Sequence, residues 1–67
     1  MTWFLRTIEL PDGHWQCRHG LLEIDTHPTL AAAAEHLAAM AASLRSAECF
    51  AHYQDGRIVQ VGSTGET

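Results

Sequence analysis

The chain has no lysine, only two cysteines and no long apolar run, and each shortage closes off a class of protein. With four arginines against eight acids, it cannot form the basic stripe that neutralises phosphates, so direct nucleic-acid binding is not expected. Small secreted folds stapled by disulfides carry about four to eight cysteines. Cys17 and Cys49 therefore read as reduced, buried thiols, and a bridge between them is not expected. No apolar stretch approaches the ~20 residues of a membrane span. The start, Met1 to Arg6, lacks the basic and apolar segments of a secretion signal, which points to a cytoplasmic protein.

What is present suits one small globular domain. Of the 67 residues, 46% are hydrophobic, too many for a disordered chain. The formal charge is −4 with histidines neutral. The five histidines make that charge pH-sensitive, because free imidazoles titrate near pH ~6.5. A chain this short buries only about 60% of its unfolded surface, which leaves little room for a deep cleft.

Residues 2–10, with Trp3, Phe4, Leu5, Ile8 and Leu10, have strand composition. Pro11-Asp12-Gly13 is turn chemistry. His14 to His19 alternates as a second strand, with Trp15, Cys17 and His19 on one face. Leu21–Asp25 predicts a third strand, with Leu22 and Ile24 facing the core. Thr29 is a good helix cap after Pro28. The alanine-rich segment from Leu30 to Ser46 then predicts a helix of about 17 residues. Leu30, Ala33, Leu37, Met40 and Leu44 form its apolar stripe. Glu48 to Tyr53 and Arg57 to Val61 read as two further strands joined at Asp55-Gly56.

The expected fold is α+β: a small antiparallel sheet with one helix across one face, in the order β-β-β-α-β-β. It occupies residues 1–62, with 63–67 as a flexible tail. The expected core is Trp3, Leu5, Trp15, Cys17, Leu22, Ile24, Leu30, Leu37, Met40, Leu44, Phe50 and Val59. Three stretches, Gly13 to Arg18, Thr29 to Ala38 and Ala51 to Ile58, resemble an uncharacterised bacterial domain family of the β-hairpin, strand, helix and hairpin type. The resemblance implies a fold and no catalytic residues.

Several constellations invite chemistry. Cys17, His19, Cys49 and His52 are the residue types of a structural zinc site, but Cys49 and His52 are three apart on a strand and point to opposite faces. Either cysteine beside His14, His19, His36 or His52 would need an oriented base and an electropositive site to act as a nucleophile. Glu23 and Asp25 share a strand face without the cleft that acid–base catalysis needs. Trp3 and Trp15 read as core anchors, with Arg6 and Arg18 neutralising Glu9 and Glu23 across strands. No catalytic, cofactor or metal residue is expected.

The function expected is that of a non-enzymatic, acidic protein-binding module. It would resemble the inhibitors of mobile elements, some anti-CRISPR proteins among them, that occupy a basic nucleic-acid groove of a host protein. Glu9, Asp12, Glu23, Asp25, Glu48 and Asp55 are the expected partner-binding residues, forming an acidic field on the sheet side. The alternative is a structural domain that forms a homodimer through the small-residue back of its helix. Ala31, Ala34, Ala38, Ala39, Ala41 and Ala42, around Glu35 and His36, form that surface.

Overall fold

A computed structural model describes residues 2–64 of the chain. Five strands, β1 (Trp3–Glu9), β2 (Trp15–His19), β3 (Leu22–His27), β4 (Ala47–His52) and β5 (Ile58–Thr64), and one helix, α1 (Leu30–Ala41), follow in the expected order. The strands form one sheet in the order β3-β2-β1-β4-β5.

The sheet is mixed, which corrects the expected antiparallel one. Three of the four strand pairings are antiparallel, but β1 and β4 run parallel, with Leu5 opposite Cys49 and Thr7 opposite Ala51. The cause is the helical connection. A strand–helix–strand crossover returns the chain to the end of the sheet where it started, so the next strand enters parallel.

The two long hairpin turns use the same device. In one, His14 N–H donates to Asp12 Oδ1 at 2.9 Å; in the other, Arg57 N–H donates to Asp55 Oδ1 at 2.9 Å. Each aspartate precedes a glycine at positive φ, Gly13 at 90° and Gly56 at 94°. Only glycine adopts that conformation without strain. Parallel β1 and β4 put both turns at one end of the sheet. There Gln54 joins them, its N–H donating to Glu9 Oε1 and its side-chain amide to Leu10 O.

The Thr29 side chain caps α1 by accepting from Ala32 N–H at 3.1 Å. The helix ends at Ala41 rather than Ser46. Beyond it Ser43 O–H donates back to the Met40 carbonyl at 2.8 Å, and the last turn closes through i→i+3 bonds. Serine side chains that compete for backbone carbonyls disfavour helix continuation. Leu44 nevertheless packs on the core from the loop.

The core lies under α1 and is made mostly of small residues: Leu5, Trp15, Cys17, Ala33, Leu37, Ala41, Ala47, Cys49 and Ala51. All of its strand residues come from the three inner strands. A helix about 10–12 Å wide covers two to three strands spaced about 4.8 Å apart. The edge strands therefore lie at the margin of its shadow. That geometry overturns Leu22 and Val59 as core residues, and a bulge in the β2–β3 pairing overturns Ile24; all three are exposed. Val61 packs inward in place of Val59. Trp3 is also exposed, its ring edge-on to His19 at 5.1 Å. Phe50 falls on the opposite face, because Ala47, Cys49 and Ala51 take the inward positions of β4. Leu30, Met40 and Leu44 pack partly buried at the core margin.

The C-terminal strand is longer than expected. Ser63 and Thr64 belong to β5, opposite Glu48 and Ala47, and Thr64 O–H donates to the Ala41 carbonyl. Residues 65–67 of the expected tail lie outside the described residues.

Candidate functional site

Two features stand out on opposite faces of the sheet. The first is the face that α1 leaves uncovered. On it Phe4, Phe50 and Ile58 sit on neighbouring strands, with the Phe4 and Phe50 rings 6.2 Å apart. Phe4 is 58% exposed, Ile58 61% and Leu21, in the β2–β3 turn, 94%. Together with Arg6 and His52 they line a shallow hollow of about 500 Å³. Around it lie Glu48 and an ion pair between Arg18 and Glu23 at 3.0 Å. Arg6 donates to the Gly20 carbonyl rather than pairing with Glu9.

The second feature lies between the helix and the β2–β3 hairpin. A bulge between Cys17 and Arg18 shifts the β2–β3 register, placing Asp25 opposite Cys17 and His27 opposite Trp15. Asp25 and His27 thus share the helix-facing side, displacing Ile24 from it. His36 arrives from α1, one turn after buried Ala33. His27 Nε2 lies 3.0 Å from Asp25 Oδ1 and 3.1 Å from His36 Nδ1, and His36 Nδ1 lies 2.8 Å from Asp25 Oδ2. The two imidazoles meet edge to face, centroids 5.1 Å apart.

Buried Cys17 completes this group, its Sγ 3.7 Å from the Ala33 carbonyl. Burial pushes the Cys17 thiol above its ordinary range; the Thr7 hydroxyl, close to the sulfur without a formed hydrogen bond, favours the thiolate and opposes that rise, and the Asp25 carboxylate adds to it. Burial likewise raises the Cys49 thiol. Thiols held protonated in this way are poor nucleophiles.

The expected partner-binding acids do not gather in one field. Glu9, Asp12 and Asp55 occupy the double-turn end of the sheet, and Glu23 and Glu48 lie towards the opposite end. Asp25 is drawn into the histidine cluster. Asp12 and Asp55 are held below the ordinary carboxylate range, chiefly by the backbone N–H groups of His14 and Arg57.

The zinc-type set weighed from spacing is dispersed. Cys17 and Cys49 sit on strands separated by β1, both free, and His52 points to the uncovered face. The sequence names His36 among the histidines that could lie beside a cysteine, but His27 was missed as its companion next to Cys17. The one available signal was Asp25-Thr26-His27, whose ends share a strand face.

Among the described residues no helix is long and apolar enough to cross a membrane. In comparisons with protein-family models, curated proteins and solved structures the chain has no match.

Proposed function

We propose that the protein is a non-enzymatic binding module that docks on another protein through the uncovered face of its sheet. The observation that carries this reading is the exposure of Phe4, Ile58 and Leu21 around half-buried Phe50. Fully covering each such side chain contributes roughly 1.5–3 kcal/mol, enough that a face of this kind favours a partner. The partner is a protein surface with an apolar centre and a basic surround, matched to a chain of net charge −4 that carries acids at both ends of the sheet. In its most specific form the module works in the cytoplasm as an inhibitor that covers a basic nucleic-acid-binding surface. Raised thiol pKa values and the shallowness of the hollow favour binding over catalysis.

The test compares capture of partner by the parent, by Phe4→Ser/Ile58→Ser and by Ala39→Glu on the helix back. Loss with the sheet-face variant, weakening in salt and competition by nucleic acid are expected. Retained capture by that variant, with loss in Ala39→Glu, would overturn the assignment and favour a homodimer through the helix back. Light scattering on the chain alone would then read that dimer directly.

A further inference from the structure

We propose that Cys17, Asp25, His27 and His36 form a closed, four-ligand site for a zinc-type divalent metal ion that pins α1 to the β2–β3 hairpin. One donor atom from each side chain lies within 4.8 Å of all the others. Tetrahedral zinc, with nitrogen and oxygen about 2.0–2.1 Å away and sulfur about 2.3 Å, holds its ligands about 3.3–3.6 Å apart. The observed Asp–His and His–His contacts of 2.8–3.1 Å need to open by only a few tenths of an ångström.

While the carboxylate is ionised, protons cannot do what the ion would. His27 Nε2, His36 Nδ1 and the Asp25 carboxylate make three mutual contacts at hydrogen-bonding distance. If both nitrogens carry hydrogen, both donate to the carboxylate, but the two N–H groups then confront each other. If one nitrogen is bare, its lone pair faces a carboxylate oxygen instead. With the carboxylate ionised, no arrangement satisfies all three contacts. A cation between them satisfies every lone pair at once.

A separate observation comes from Thr7. Its side-chain oxygen is buried without a hydrogen-bond partner, and Thr7 sits directly opposite Cys17 in the β1–β2 register. A metal-bound thiolate is the acceptor this hydroxyl lacks, and hydrogen bonds to charged acceptors are the stronger kind. Such outer groups orient and tune metal ligands.

The ligand types choose the ion. Calcium and magnesium take oxygen, whereas mixed thiolate, imidazole and carboxylate donors suit zinc. Four protein ligands leave no open position for an activated water, so the site is structural. It also acts where help is needed. No residue of β3 joins the buried core, and the partly exposed Asp25, His27 and His36 join that strand to the helix. Small domains with thin cores commonly depend on such a staple.

The untagged chain, stripped with chelator, would be titrated with cobalt(II) and then zinc(II). The expected result is a near-ultraviolet thiolate-to-cobalt charge-transfer band with tetrahedral visible bands, saturating at one equivalent and displaced by zinc. His36→Gln should weaken binding at least about 100-fold, more than loss of an outer-shell group does. His19→Gln, His52→Gln and Cys49→Ser should leave the cobalt spectrum unchanged. Absence of the charge-transfer band from the parent would overturn the proposal. So would unchanged affinity in folded His36→Gln, or loss of the band in folded Cys49→Ser. If His36→Gln fails to fold, the parent and Cys49→Ser spectra still decide. The site lies across the sheet from the docking face, so either reading can fail alone.

Discussion

Leu37→Ala should come close to unfolding the protein. Leu37 and Leu5 are the two largest fully buried side chains, and Leu37 is the one that anchors α1 to the sheet. The substitution removes the equivalent of about three methylene groups, roughly 2.4 kcal/mol of transfer free energy. A cavity term adds to this, giving a range of about 2–5 kcal/mol for such changes. The upper half of the range is expected here, because nearby core residues such as Ala33, Ala41, Ala47 and Ala51 cannot reach into the hole. At ~0.05–0.15 kcal/mol per residue the whole domain is worth about 3–10 kcal/mol. Urea titration followed by the fluorescence of buried Trp15 measures the loss, with Leu22→Ala as the comparison. Leu22 is exposed on an edge strand and should cost less than about 1 kcal/mol. Equal losses for the two, or a Leu37→Ala midpoint matching the parent, would refute the packing described for α1.

Thr29→Ala should destabilise by about 1 kcal/mol through loss of the helix cap, read as a shift in the urea midpoint with unchanged slope. Gly56→Ala forces a side chain into a positive-φ position and should cost about 1 kcal/mol or more, whereas Gly62→Ala, at an ordinary backbone angle with its nearest neighbour 3.9 Å away, should cost less. Stability of the chelated protein should fall as pH rises. Cys49 has a higher pKa folded than unfolded, so its contribution is complete below the unfolded thiol range near pH ~8.5 and is lost as pH climbs through the folded value. Cys49→Ala should flatten that part of the alkaline decline in a series of urea titrations.

The local elements were legible because their signals are local. Asp12-Gly13 and Asp55-Gly56 announce turns, Thr29 announces a cap, and the alanines after it announce a helix. The direction of β4 was not legible from neighbour-to-neighbour reasoning, since it depends on where the crossover delivers the chain. Two assumptions misplaced the core. Period-two alternation put Ile24 inward, but the bulge at Cys17/Arg18 gives that side to Asp25. Size alone favours the largest apolar residues as core, yet a helix lying close on the sheet selects Ala47, Cys49 and Ala51 and leaves Phe50 on the other face. The histidine cluster combines both difficulties. His27 and His36 stand nine positions apart, and only the bulge and the docking of α1 bring them together with Cys17.

Native mass spectrometry of the untagged chain, after chelation and readdition of one equivalent of zinc, tests the metal staple most directly. The expected spectrum is a folded, narrow charge distribution carrying one zinc in place of two protons, and its zinc-bound fraction should drop sharply in His36→Gln. A chain that stays metal-free beside stoichiometric zinc, or binds it equally in the parent and in folded His36→Gln, would contradict the joining of helix and hairpin through Cys17, Asp25, His27 and His36.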